Sequence, residues 1–181
     1  GVSEINFGGG VIRWSSNSRL MLNNHKNIIE FTQFSSGAWM LISGADMRGW
    51  TVKAVHFYEQ DIYGGAADFV DDYSERVNAA GLTGCVTVVD SELSETSFDL
   101  QVKDCEDQLN LVRVSGTIDS IKCKDASSDA IDLDYSNVNI KHVAVTGAGN
   151  DCVDVSGGEY FIEYLQLVGC GDKGVSVGEQ S

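Results

Sequence analysis

From residue 106 onward, apolar and polar residues alternate over short stretches, and the stretches return at a fixed interval. Ser128-Asp-Ala-Ile-Asp-Leu-Asp134, Asn150-Asp-Cys-Val-Asp-Val-Ser156 and Asp172-Lys-Gly-Val-Ser-Val-Gly178 each begin 22 positions after the last, and Glu106-Asp-Gln-Leu-Asn-Leu-Val112 fits the same frame. The apolar residues then fall into columns. Leu109, Ile131, Val153 and Val175 form one, and Leu111, Leu133, Val155 and Val177 another. In the second half of each repeat, Ile118, Ile140 and Ile162 align. So do Ile121, Val143 and Leu165, and then Cys123, Val145 and Leu167. Alternation within a stretch is strand periodicity, and Gly147 and Gly169 recur where the chain must turn. Strands this short bury nothing alone. Winding them into a coil puts every apolar column inside and stacks the rungs ~4.8 Å apart. A helical repeat would be longer and show a 3.6-residue period, and the asparagine-leucine signature of a leucine-rich repeat is absent. The pattern predicts an all-β fold, a right-handed parallel β-helix (solenoid) of about 22 residues per rung.

Upstream the frame blurs. Val86–Val89 and Phe98–Leu100 read as the preceding rung, and Trp39–Ile42, Trp50–Val52 and Val55–Phe57 as earlier ones. Ile28–Phe31 and Val11–Trp14 are expected in the first rungs. The chain thus reads as one β-helix domain over 1–181: early rungs in 1–57, a loop excursion in 58–84, and regular rungs in 85–181 with the last one incomplete. In the excursion, Asp68, Asp71, Asp72 and Glu75 suit either a cation or a solvated loop face. A final rung begun at Asp172 leaves an apolar cross-section and open strand edges. The expectation is a fragment of a longer coil, with further rungs or another chain against its C-terminal end.

Charge and composition narrow the function classes. Twelve basic and 27 acidic residues give a net charge of −15, with a pI near 4.3. Nucleic acid and anionic membranes call for a basic footprint, so neither is an expected partner. No apolar run approaches the ~20 residues that cross a bilayer. Gly1-Val-Ser-Glu4 lacks the basic-then-apolar pattern of a signal peptide. The five cysteines (Cys85, Cys105, Cys123, Cys152 and Cys170) include no CxxC pair, which argues against zinc, and their odd number leaves at least one thiol unpaired. Proline is absent, as suits laddered strands in which each N–H is needed.

The phrases Ser128-Asp-Ala-Ile-Asp-Leu-Asp-Tyr-Ser136, Gly149-Asn-Asp-Cys-Val-Asp-Val-Ser-Gly157 and Gly171-Asp-Lys-Gly-Val-Ser-Val-Gly-Glu179 resemble repeats of the pectin-lyase-like superfamily. They look closest to repeats of large secreted bacterial proteins, including those with a spore-coat-protein-H-like domain. The resemblance covers 106–181 and implies an extracellular or cell-surface location. It leaves function open, because this scaffold hosts lyases, hydrolases, epimerases, tailspikes and inert shafts. In the polygalacturonase-type hydrolases of the superfamily, an Asn-Thr-Asp, Asp-Asp, Gly-His-Gly series occupies successive rungs. Here Asp129 and Asp151 match the two aspartates that activate water. Asn150 replaces the general acid and Lys173 the histidine. An amide has no proton to give a leaving group, so that machinery is broken. The fourth motif, Arg-Ile-Lys, would fall beyond residue 181.

Three constellations remain. Asp132 and Asp154 share an outward column, with Asp134 two residues along. Like charges facing each other call for compensation, which Ca²⁺ would supply; hydrogen bonds to turns or open water are the alternative. Asp129, Asp151 and Lys173 form the second set, weak catalytic candidates in which Lys173 serves to neutralise Asp151. Tyr135, Tyr160 and Tyr164 are glycan-stacking candidates, while Phe161 and the tryptophans Trp14, Trp39 and Trp50 are expected to fill or cap the core. His142 reads as an exposed strand residue. The expected function is a non-catalytic scaffold or adhesive module of a secreted or surface protein, in contact with polysaccharide or cell-surface glycan. The alternatives are a polysaccharide-active enzyme (lyase, epimerase or degenerate glycoside hydrolase) and a segment of a phage or viral fibre.

Overall fold

The computed structural model describes residues 1–58 and 76–178. They form thirteen strands and no helix: β1 (Val2–Phe7), β2 (Gly10–Ser15), β3 (Ser18–Asn23), β4 (Ile28–Gln33), β5 (Met40–Ser43), β6 (Thr51–His56), β7 (Gly84–Val89), β8 (Glu92–Gln101), β9 (Asp107–Val112), β10 (Ser115–Ala126), β11 (Asp129–Ala148), β12 (Val153–Cys170) and β13 (Val175–Val177). They coil into a parallel β-solenoid of about six turns.

Two ladders run along the coil. The first stacks β5, β7, β9, the start of β11, the start of β12, and β13. The second stacks β4, β6, β8, β10 and the later parts of β11 and β12. The register reproduces the 22-residue columns: Leu109 pairs with Ile131, Ile131 with Val153, and Val153 with Val175, while Ile118, Ile140 and Ile162 align on the second ladder. Leu109, Leu111, Ile118, Ile121, Ile131 and Leu133 are fully buried, so these columns are the core. Earlier turns differ in spacing. Met40 pairs with Val86 and Thr51 with Ser97, each 46 positions on, so β5 abuts β7 and β6 abuts β8 with no strand between them.

The N-terminal end departs from the coil. β2 lies antiparallel to both β1 and β5, and β3 antiparallel to β4. Residues 11–14 therefore do not form a rung in the direction of the coil, although Ile28–Phe31 do. Phe7 packs edge-on against Trp50, with ring centroids 4.9 Å apart. At the last described rung Val177 is 72% exposed, although its column mates Leu111 and Leu133 are fully buried.

One corner is stitched repeatedly. Cys85 bonds Cys105 and Cys152 bonds Cys170. Cys85, Gln108, Ala130 and Cys152 succeed one another in register, so both disulfides close the coil at the same corner, three rungs apart. Between them Gln108 donates from Nε2 to the carbonyls of Val102 (2.7 Å) and Lys124 (3.0 Å). At the end of β4, Gln33 does similar work, donating to Lys103 O at 2.7 Å and accepting from Lys103 N–H at 3.0 Å. Cys123 is the free, buried cysteine.

Candidate functional site

The polar residues singled out by the repeat lie along the first ladder. At its corner, Asp107, Asp129, Asp151 and Lys173 follow one another rung by rung. Here a carboxylate does the work of a backbone acceptor. Asp129 Oδ1 accepts from Asp151 N–H (2.9 Å) and from Asn150 Nδ2 (2.8 Å), and Asp151 Oδ1 accepts from Lys173 N–H (2.8 Å). Both aspartates are buried. A carboxylate that satisfies the next rung's N–H offsets a buried donor's desolvation, a structural role. Lys173 Nζ stands 4.0 Å from Asp151 but 3.1 Å from Asp172, its nearer partner.

Beside the corner runs a second column: Thr87, Asn110, Asp132, Asp154 and Ser176, in register across five rungs. Asp132 and Asp154 face each other, as the spacing predicts. Burial, reinforced by the charges of Asp107, Asp134, Asp154 and Asp129, pushes the Asp132 carboxyl up to about 8. Burial also raises Asp107 to about 6 and displaces Asp154 upward, with Asp129 and Asp151 adding to the effect. Asp134 joins through Asn110 Nδ2, 3.4 Å from its Oδ2. Among the described residues, no three acidic, cysteine or histidine side chains stand close enough together to hold a metal ion. Asp68, Asp71, Asp72 and Glu75 lie outside the described residues.

The aromatic candidates do not share a surface. Tyr160 turns its hydroxyl onto the backbone, donating toward Leu133 O and Ser156 O (3.0 Å each) and accepting from Ser136 N–H (3.1 Å). Tyr135 is exposed at the turn between the ladders, where its ring lies over Gly157. Tyr164 is exposed on the second ladder and stacks on His142, centroids 5.0 Å apart. Phe161 is 63% exposed, which corrects the expectation that it fills the core: Ile140 and Ile162 point inward, so their strand neighbours Asn139 and Phe161 face out. Trp39 is buried and Trp14 and Trp50 are partly buried against the core, as expected. A groove of about 480 Å³ near the N-terminal end, lined by Arg13, Trp39 and Leu41 among others, includes none of these carboxylates.

Sequence reasoning did not single out Asn110, a buried member of the second column. The signal was present, since Asn110 stands 22 positions before Asp132. Nor did it pair the cysteines, whose meeting depends on the corner.

Compared with known proteins, the chain matches no family model, no curated protein and no solved structure.

Proposed function

We propose that this chain is a non-catalytic β-solenoid module of the pectin-lyase-like kind, belonging to a secreted or surface protein and contacting glycan without cleaving it. The observation that carries this reading is the use of Asp129 and Asp151. The two carboxylates that match the hydrolase pattern each give Oδ1 to a backbone N–H of the following rung, a structural use that accounts for both residues without water activation. Two disulfides suit an oxidising compartment. The exposed rings of Phe161 and Tyr164 offer faces on which neutral sugars stack.

One observation favours the enzyme alternative. A carboxyl held protonated near neutrality beside an ionisable neighbour, as Asp132 is beside Asp154, is the arrangement of a general acid with its partner. An assay separates the two. The intact chain is incubated with polygalacturonate and with neutral polysaccharides, and reducing ends and unsaturated products are measured. The non-catalytic reading expects neither, together with glycan-array binding that drops roughly tenfold in Tyr164→Ala. Product formation that disappears in Asp132→Asn would establish the enzyme instead.

A further inference from the structure

Asn110 is 4% exposed and Asp107 2%. Asn110 Nδ2 lies 3.3 Å from Thr83 Oγ1, 3.3 Å from Asp107 Oδ2, 3.1 Å from Asp132 Oδ2 and 3.4 Å from Asp134 Oδ2. An amide nitrogen has two protons, so four acceptors, three of them carboxylate oxygens, exceed what it can satisfy. The Oδ1 atom of the same amide is buried with no donor. Three ionised carboxylates gathered on one buried amide, with Asp107 buried and Asp132 and Asp134 half-buried, leave like charges poorly compensated.

The surrounding charges do not relieve this. The strand on one side, β7, brings no ionisable side chain, Cys85 being in a disulfide. The segment before it brings Arg76, which pairs with Glu106 at 3.0 Å. Next to the cluster, β11 adds Asp129, and β12 with its approach adds Asp154 and Asp151, the latter 4.0 Å from Lys173 Nζ. Among the described residues no cationic side chain forms an ion pair with Asp107, Asp132 or Asp134. Segment 59–75 contains no lysine, arginine or histidine.

We propose that Asp132 and Asp107 hold a proton around Asn110, and that this proton fastens the Thr83 end of segment 76–83 onto the solenoid. Thr83 is the link. Its hydroxyl meets Asn110 and also hydrogen-bonds the Asp107 carboxyl, which burial nevertheless keeps raised, and its carbonyl accepts Asp107 N–H at 3.1 Å. The preceding turn is organised by Asn78, whose Oδ1 accepts from Ala80 N–H (2.9 Å) and Leu82 N–H (3.2 Å). With the proton bound, one carboxyl becomes a donor and the excess of acceptors falls. Without it, repulsion pushes the carboxylates apart and Thr83 loses its anchor.

The direction with pH follows. Asp132 and Asp107 are raised to about 8 and about 6 from an ordinary value of 3.8. The folded state therefore binds the proton more tightly than the unfolded chain. Its stabilisation is complete below the ordinary carboxylate value and is lost as pH climbs through the two folded values. The joint is closed in acid and loosens in alkali, whatever the module binds.

Hydrogen exchange on the intact chain, corrected for the intrinsic pH dependence of exchange, tests this in the peptide spanning residues 76–90. Between about pH 7, where Asp107 has already titrated, and about pH 9, protection there is expected to fall about tenfold and Tm by about 5 °C. In Asp132→Asn, a neutral isostere of the protonated acid, both stay level. Wild-type protection that ignores pH overturns the proposal, without need of any variant. So does a fall that persists in Asp132→Asn. Restoration of protection at high pH by millimolar CaCl₂ also overturns it, since the cluster would then be held by a cation and not a proton.

Discussion

A column of left-handed residues marks the turn from the first ladder to the second. Gly44, Asp90, Arg113, Tyr135 and Gly157 all have positive φ, between 48° and 66°. They hold equivalent places on adjacent rungs, 22 or 23 positions apart in sequence except for the 46 between Gly44 and Asp90. Only glycine takes this conformation without cost, so Arg113 and Tyr135 are held there by their neighbours. Arg113 donates to Asp90 on the adjacent rung (Nε–Oδ1 2.6 Å), which also holds the Asp90 carboxyl below its ordinary range. Gly158, next in the chain, is more tightly constrained. A Cβ there would meet the Ser136 carbonyl oxygen at 2.1 Å, on a backbone with φ of 81°. Gly158→Ala is expected to cost about 3 kcal/mol. Gly37→Ala, also at positive φ but with nothing within 4 Å, should cost only about 1 kcal/mol. Denaturant midpoints of the two variants check this, and equal losses would mean that close rung packing is not what selects glycine.

At the level of elements, each turn depends on closing the corner where the second ladder hands the chain to the next first-ladder strand. Gln33, Cys85–Cys105, Gln108 and Cys152–Cys170 do this on different turns. A glutamine that bonds two carbonyls and a disulfide are two solutions to one problem, since each fills the corner and ties its sides. The disulfides close loops of 20 and 18 residues, each worth about 3 kcal/mol if chain entropy governs. The double variant Cys152→Ser/Cys170→Ser is expected to lower Tm by about 10 °C under oxidising conditions. Reduction of the wild type should lower it further, since Cys85–Cys105 opens too. If the variant melts with the wild type, the corner is held by packing alone.

For the whole molecule, charge and coil set the behaviour. A net charge of −15 opposes compaction through self-repulsion, which salt screens. The described ion pairs, among them Arg13–Glu4 and Lys141–Asp119, are mostly solvent-exposed and contribute little to offset it. Tm is therefore expected to rise by about 3 °C between about 10 mM and about 500 mM NaCl; a fall would show that the surface pairs outweigh the repulsion. The 22-residue recurrence by itself determined the solenoid, its inward columns and the rung-to-rung neighbours Asp129–Asp151 and Asp132–Asp154. A period equal to one turn of a coil turns sequence distance directly into spatial adjacency. What recurrence cannot encode was decided by tertiary structure. The antiparallel N-terminal strands carry no repeat, because they run against the coil. The cysteine pairing and the crowding of three carboxylates on Asn110 depend on where the chain bends between ladders. That bend belongs to backbone angles held by neighbouring rungs, not to the identity of any single residue.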